Sequence, residues 1–437
     1  NNYCYPENPE AGIDLFLEKL VQETEKEHED ILEQADETDA MFGELYSWYL
    51  RNPEYRSRVQ KLVQSAFAGK PEDIISQSVA KALYGEVSPY SATRLERFAA
   101  CAFAHFLQYG MKLTERVEYE FKPMDMGNVM HEALESFAEE VRKRGMKWKE
   151  LTEHGRNEIA DRCLDNIVAD YGNTVLKSSA RNEYMIERTR RILRRTVWAL
   201  QKQLEQGEFQ PEGFEVTFGG GRIDRVDIME DQNKVYVKVI DYKTGNTSFD
   251  LVYLYHGLQL QLMIYLDGAL RVEQKKYPDK EIIPAGVFYY NIKDPMIQEK
   301  IDADVEAVSA GLMKELKMNG LAQADPELVY RMDSSLGSIP VAFNKDGSFR
   351  KNSSVADRTQ FAVLGRYVRT KIEKIRSSIL EGDAEVSPYE LGKKNACTYC
   401  PYMTVCGFDR RLSGYEFRRL KNFSDEELWK AFDREAE

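Results

Sequence analysis

The first part of the chain has a helical hydrophobic period. In residues 12–85, apolar side chains recur near helical spacing with acidic residues between them, as in LFLEKLVQETEKEHEDILEQ, which predicts amphipathic helices. A further helix is predicted to start near Ser91 or Thr93, with Glu96 as the capping partner of Thr93. The Gly, Ser and Pro residues before it indicate a domain boundary near residue 88.

The pattern then changes to that of a sheet. Two more helices are predicted, one after Gly127 and one over residues 181–206. The runs FEVTF, GRIDRVDIM and KVYVKVIDYK alternate in period two, with EDQN as a turn between the last two, so they predict antiparallel strands. A helix over 256–273, a strand at AGVFYYNI and a basic helix near 355–381 follow. We therefore expect an α/β core sheet flanked by helices.

Composition is that of a globular chain, and its charge is uneven. The 437 residues are 43% apolar, without a run of about 18 apolar residues or a signal segment, so we expect two or three domains in a cytoplasmic protein with no membrane span. The net charge of −13 excludes indiscriminate coating of nucleic acid. Residues 1–40 carry −11 of that charge, while 181–203 and 345–376 are basic and form either a phosphate-binding face or ordinary solvated helix faces.

Three cysteines lie close together near the C-terminus. The stretch NACTYCPYMTVC holds Cys397, Cys400 and Cys406 in C-x2-C-x5-C spacing. Metal centres bound by thiolates usually have four ligands, so a distant residue must complete the set. Six cysteines are too few for a disulfide scaffold in a chain of this length, and we interpret Cys4 and Cys163 as ordinary thiols.

A carboxylate and a lysine share one strand face. Asp241 and Lys243 are two residues apart in VKVIDYKTG, so both point to the face of Val239. Antiparallel pairing with GRIDRVD would bring Asp224 towards Asp241, and two facing carboxylates repel unless a cation lies between them. The alternative is a surface ion pair at a strand end, which contributes little stability.

The order of these motifs resembles the RecB-type branch of the PD-(D/E)xK nucleases. The residues that carry the resemblance are His131 in GNVMHEALE, Asp224 in GRIDRVD, Asp241 and Lys243 in DYKTG, and Gln261 and Tyr265 in QLMIY. One cysteine before these motifs, Cys101 in FAACAFAHF, and three after them resemble the iron-sulfur staple of the AddB family of bacterial AddAB helicase-nucleases. The resemblance covers residues from about 88 to about 410.

The resemblance implies a restriction-endonuclease-like core, a mixed sheet flanked by helices, with helical insertions. It also implies that Asp224 and Asp241 ligate Mg²⁺ or Mn²⁺ with His131 and the backbone carbonyl of Tyr242, and that Lys243 orients the attacking water or neutralises developing charge. A lone histidine on a helix is more often structural, and HEALE lacks the second histidine of a zinc-protease motif.

Gln261 and Tyr265 lie one helical turn apart, and the resemblance implies that this face contacts the substrate strand. By their residues alone they could equally be a polar pair that caps a core helix. The family usually has an additional strand segment where this chain has only Gly219 to Gly221, so the outer edge of the sheet is expected to differ.

The resemblance makes Cys101 the distant fourth ligand of a 4Fe-4S cluster with Cys397, Cys400 and Cys406. Tying Cys101 to Cys397 closes a loop of 296 positions, which corresponds to a closure entropy on the order of 5 kcal/mol. Zinc, whose four-cysteine sites usually come as two local pairs, is the alternative, and plain buried thiols are a third.

The expected function is metal-dependent exonuclease action on single-stranded DNA ends in double-strand break processing and recombination. The expected partners are DNA ends, a duplex junction and an AddA-type helicase-nuclease subunit, because no G-x-x-x-x-G-K-[ST] motif is present. We expect an acidic helical arm over 1–87, the tail of an upstream helicase-like region, a nuclease domain over 88–415 and a helical tail over 416–437. The alternatives are a CRISPR-associated adaptation exonuclease and a DNA-end binding module with an inactive site.

Overall fold

A mixed sheet of six strands forms the centre of the molecule. The computed structural model describes residues 37–66, 74–85, 91–114, 123–170, 179–219, 221–298, 304–412 and 414–436. The strands lie in the order of the chain, β1 at Gln210–Phe218, β2 at Gly221–Asp231, β3 at Lys234–Lys243, β4 at Glu281–Asn291, β5 at Asn319–Gln323 and β6 at Val355–Ala356.

The first three strands are antiparallel, as the sequence predicts, and β4 then runs parallel to β3. Strand β5 is antiparallel to β4, and β6 is parallel to β5. β1 forms one edge of the sheet. The mixed sheet expected for a restriction-endonuclease-like core is therefore confirmed.

Helices cover both faces of this sheet. Before it come α1 at Glu37–Arg51, α2 at Pro53–Ala66, α3 at Gln77–Tyr84, α4 at Ala92–Ala100, α5 at Ala102–His105, α6 at Pro123–Lys143, α7 at Glu153–Asp170 and α8 at Ala180–Glu205. After β3 come α9 at Leu251–Tyr255, α10 at Gln261–Lys276, α11 at Val305–Glu315, α12 at Pro326–Met332, α13 at Arg358–Glu381, α14 at Met403–Cys406 and α15 at Asp425–Ala436. None of the helices in the described ranges has both the length and the apolar character needed to cross a bilayer.

Two hydrophobic cores follow from the alternation of side chains along the strands. Val237 and Val239 of β3 pack with α4, α10, α13 and α15 on one face. Ile240 and Tyr242 pack with α6, α7 and α8 on the other. Because successive strand residues point to opposite faces, Asp241 and Lys243 lie on the side of α10.

A second sheet of three short strands lies near the C-terminus. Its order is β8 at Lys394–Asn395, β7 at Tyr389–Leu391 and β9 at Arg418–Arg419. This sheet brackets the segment with the three clustered cysteines, and α15 then packs on α13 within the second core.

Several predicted helix boundaries are wrong. The helix predicted from residue 256 begins at Gln261, because Leu251–Tyr255 form a separate turn of helix and Gly257 follows with φ of 78°. The helix predicted after Gly127 already starts at Pro123, a residue type that favours the first helical turn. Residues 12–36 of the predicted acidic arm, and Cys4, lie outside the described residues.

The predicted cap of α4 is half right. Ser91 is the N-cap, because its hydroxyl accepts a hydrogen bond from the Arg94 amide. Thr93 lies inside the helix, and Glu96 is not its capping partner, since the carboxylate bonds to a different helix.

Candidate active site

Asp224 and Asp241 meet across β2 and β3. Arg225 pairs with Ile240, so the same register places Asp224 opposite Asp241. Asp224 Oδ2 accepts a hydrogen bond of 2.7 Å from the Tyr242 amide. Burial, and then the charge of Asp224, raise the pKa of Asp241 to about 7. The chain has thus placed two carboxylates where a cation would relieve their repulsion.

Lys243 is held between an acid and an amide. Its Nζ lies 2.6 Å from Asp241 Oδ2 and donates to Gln261 Oε1 at 2.7 Å. Gln261 Nε2 in turn donates to the Tyr265 hydroxyl at 2.9 Å. Asp241 is only 1% exposed, which rules out the surface ion pair considered from the sequence. The two motifs DYK and QLMIY therefore form one hydrogen-bonded chain.

His131 and Glu215 complete a cluster of possible metal ligands with Asp224. His131 Nδ1 lies 3.4 Å from Asp224 Oδ2 and 3.8 Å from Glu215 Oε1, and one donor atom from each residue falls within 4.8 Å of the others. Carboxylate oxygens and an imidazole suit Mn²⁺, and carboxylates suit Mg²⁺. These residues fit a divalent metal, and Asp241 lies directly beside them.

The sequence reasoning missed Glu215. It stands in β1 at the position across from Asp224 in the strand register, with φ of 49° and a side chain that is only 6% exposed. Arg222 Nε lies 2.5 Å from its Oε2. A charged residue inside FEVTF was the available signal, because an acid in a half-buried strand needs a cationic partner.

The ligand cluster strongly favours positive charge. Burial alone would lower the pKa of His131, but hydrogen bonds to Asp224 and Glu215 and their negative charges outweigh it and raise the pKa to about 10. The ring also meets Tyr242 edge-on, with centroids 6.1 Å apart. His131 is thus held in place from both sides.

Glu96 is a second residue that the sequence reasoning placed wrongly. Its Oε1 accepts hydrogen bonds from the Leu260 amide at 2.7 Å and the Gln261 amide at 3.0 Å, so it caps α10 from α4. Burial, opposed by these two bonds and by Lys243, raises the pKa of Glu96 to about 7. The carboxylate therefore positions the residue that bonds to Lys243.

A buried charge network lies on the opposite face of the same strands. Arg225 Nε and Nη2 donate to Asp227 at 2.5 and 2.8 Å, and Lys238 Nζ lies 3.0 Å from the same carboxylate. All three side chains are almost fully buried. The network ties β2 to β3 just below the facing aspartates.

The four predicted cysteine ligands come together. Cys101 is buried at the junction of α4 and α5, and Cys397, Cys400 and Cys406 are partly buried in the C-terminal segment. Burial and then the proximity of Cys101, Cys400 and Cys406 raise the pKa of Cys397 to about 12. Cys163 is a separate buried thiol of α7, without a disulfide.

Backbone contacts join the two ends of this cysteine site. The Phe103 amide donates to the Glu385 carbonyl at 3.0 Å, and the Tyr402 hydroxyl donates to the Leu113 carbonyl at 3.1 Å. Arg418 of β9 donates to the Ala99 carbonyl at the end of α4. Segments about 300 positions apart are thus fastened to each other around the thiols.

Comparisons with known proteins agree with this geometry. The chain matches the PD-(D/E)XK nuclease superfamily over residues 89–407. It is 41% identical over 425 residues to the ATP-dependent helicase/deoxyribonuclease subunit of the AddB type from Lachnoclostridium phytofermentans, with 92% of this chain and 36% of that protein aligned. Subunits of the same name from Thermoanaerobacter sp. and Clostridium acetobutylicum are 33% and 34% identical, with 92% and 91% of this chain aligned to 37% and 36% of theirs.

The chain spans just over a third of the length of these relatives. They confirm the resemblance to AddB subunits. The match to the superfamily includes every motif from Cys101 to Cys406. The chain therefore belongs to the PD-(D/E)XK nuclease superfamily.

Proposed function

We propose that this chain carries a metal-dependent deoxyribonuclease that hydrolyses phosphodiester bonds at single-stranded DNA ends during double-strand break processing. The observation that carries the proposal is the buried pair Asp241 and Lys243 beside Asp224, at the end of β3. Burying two acids and a lysine is costly unless they bind something. The names of the aligned relatives, which include deoxyribonuclease, support DNA as the substrate.

The metal would be held by Asp224 and Asp241, with His131 and Glu215 beside them and the carbonyl of Tyr242 as a further ligand. When bound, Mg²⁺ or Mn²⁺ polarises the scissile phosphate and lowers the pKa of a coordinated water. Asp224 is prepared for this role, because its Oδ2 is fixed by the Tyr242 amide.

Lys243 would act on the substrate rather than on the metal. Its ammonium group is held by Asp241 and Gln261, so it is already oriented before a phosphate arrives. From there it can orient the attacking water or stabilise charge that develops on the phosphate. Tyr265 and Gln261 would contact the DNA strand from α10.

The test is degradation of end-labelled single-stranded DNA with and without Mg²⁺, using anaerobically purified protein. We expect Asp241→Ala to abolish cleavage, and Asp279→Asn, in the exposed turn before β4, to leave it unchanged. Equal cleavage by the parent and Asp241→Ala would place the chemistry elsewhere. DNA binding without cleavage by the parent would favour the end-binding alternative.

We further propose that Cys101, Cys397, Cys400 and Cys406 hold a 4Fe-4S cluster. The only set of three possible ligands within 4.8 Å in the described ranges is the one around Asp224, so the thiols spread more widely than a zinc site allows. Tetrahedral zinc, with Zn–S of about 2.3 Å, would draw its four sulfurs to about 3.8 Å from one another.

The cluster is tested by iron, sulfide and zinc analysis together with the visible absorption spectrum. We expect Cys397→Ser to lose iron and absorbance, and Cys163→Ser to keep both. Stoichiometric zinc in the parent, without iron, would refute the cluster.

We also propose an AddA-type helicase-nuclease subunit as a partner, with which the chain would meet single-stranded ends at a duplex junction. The relatives are named as one subunit of a helicase and deoxyribonuclease, which supports a second subunit. The domain limits near residues 88 and 415 remain part of this proposal. Copurification of a tagged chain with a coexpressed AddA-type subunit tests it.

A further inference from the structure

An arginine-rich groove of about 740 Å³ lies away from the candidate active site, between α7, α8 and α11. Its lining includes six arginines, five of them from α8, against two acids, Glu153 and Glu187. Arginine forks bind phosphate oxygens in pairs, and a cationic groove concentrates anions. The groove therefore has the charge that a nucleic-acid backbone requires.

The side chains of α8 divide into two sets. Arg190 Nη2 bonds to Asp165 at 2.7 Å and Arg194 Nε to Asp161 at 2.8 Å, and both acids belong to α7. These arginines brace α8 against α7. They leave the remaining arginines of the helix to face the groove.

The second set forms a continuous stripe along the helix. The stripe has spacings of four, three, four and three residues and consists of Tyr184, Arg188, Arg191, Arg195 and Trp198. Such spacing keeps side chains on one helix face. With a rise of 1.5 Å per residue, the stripe is about 21 Å long, which matches about six phosphates at 3.4 Å spacing.

The stripe offers both charge and ring surface. No carboxylate within salt-bridge distance of Arg188 or Arg195 occurs among the residues that the structure describes, and the Arg195 guanidinium lies 5.4 Å from the Trp198 ring centroid. Tyr184 is 65% exposed. Arginines that alternate with exposed aromatic rings bind single strands, because phosphates meet cations while unpaired bases stack on rings.

The groove is continuous with the catalytic end of the sheet. Arg191 Nε bonds at 2.5 Å to Asp294, which follows the end of β4 by three residues. The last residue of β4, Asn291, pairs with Lys243. Because the C-terminus of α8 leads to the opposite end of the sheet, where β1 begins, the stripe runs away from the candidate active site.

We propose that this stripe binds the backbone of single-stranded DNA several nucleotides from the bond that is cleaved. The inference rests on the proposed nuclease function, which supplies a strand at the end of β3. It assigns to α8 a role in holding long strands. It also separates the two basic stretches of the sequence, since only residues 181–203 line this groove.

The experiment compares the parent, Arg188→Gln/Arg195→Gln and a control, Arg142→Gln/Lys147→Gln, which removes two exposed charges beyond the far end of α6. Binding of fluorescent oligothymidines of 4 and 20 nucleotides is measured by anisotropy without Mg²⁺, over a range of salt. We expect the stripe variant to bind the 20-mer about tenfold more weakly, with a salt slope that is shallower by about 1.4, since each contact to a single strand contributes about 0.7.

The loss should be much smaller for the 4-mer, which cannot reach both the groove and the end of β3. Unchanged affinity and slope for the 20-mer, or an equal loss in the control, would overturn the proposal. An equal loss with blunt duplex would also overturn it, because that result indicates general charge attraction. A parent that binds through the stripe but cleaves nothing would refute the nuclease and leave the groove standing.

Discussion

Replacing Glu96 by Gln should change how the stability of the protein depends on pH. The carboxylate caps α10 through two amide bonds, and an amide oxygen can accept the same bonds. What the substitution removes is the charge. Burial raises the pKa of Glu96 from 4.5 to about 7 in the folded protein, so ionising it there is unfavourable.

The sign and size follow from linkage. A raised folded-state pKa stabilises the fold below pH 4.5, and this contribution is lost as pH rises through 7. Between pH 5 and pH 8 the parent should lose about 2.5 kcal/mol from this group. Glu96→Gln does not titrate, so its stability relative to the parent should rise by that amount. For a chain of this length the change corresponds to about 3 °C in Tm.

The assay is thermal unfolding of the parent and Glu96→Gln at several pH values between 5 and 8, without added divalent metal. Exposed Glu44→Gln on α1 provides the control, and its difference from the parent should not vary with pH. A Tm difference for Glu96→Gln that stays constant, or that favours the parent more at pH 8, would refute this account of the cap.

Three further predictions concern the residues around Lys243. Asp227→Asn should destabilise the protein by about 3–5 kcal/mol in urea unfolding, because it leaves two buried cations without their acid, whereas Asp231→Asn in an exposed pair should cost under about 1 kcal/mol. Gln261→Leu should lower kcat about tenfold with Tm within about 1 °C, since it frees Lys243; an unchanged kcat would contradict the role of this bond. Glu215→Gln should raise the Mg²⁺ concentration for half-maximal cleavage about tenfold, which a metal titration checks.

Residues whose neighbours follow from strand alternation could be predicted from the sequence. Asp241 and Lys243 share the face of Val239, and period-two spacing alone requires this. The antiparallel order of the first three strands followed from the short turn between them. The parallel alignment of β4 did not, because it depends on a crossover through α9 and α10 rather than on local pattern.

Residues whose partners lie far away in the chain were harder. Glu96 looked like a local capping residue, yet its partners are 164 and 165 positions away. Glu215 looked like an ordinary strand position, and only the register with Asp224 shows that it faces the ligands. In both cases a local preference competed with a tertiary contact that local spacing does not encode.

The pairing of α4 with the C-terminal segment also sets the order of events during synthesis. The ribosome releases Cys101 and Ala99 long before Cys397 and Arg418 exist. At 5–20 residues per second, the 296 positions between the two cysteines take about 15–60 s to translate. For that interval a nascent chain exposes the apolar side of α4 and an unpaired thiol, so chaperone cover and delivery of the prosthetic group must wait for translation to finish.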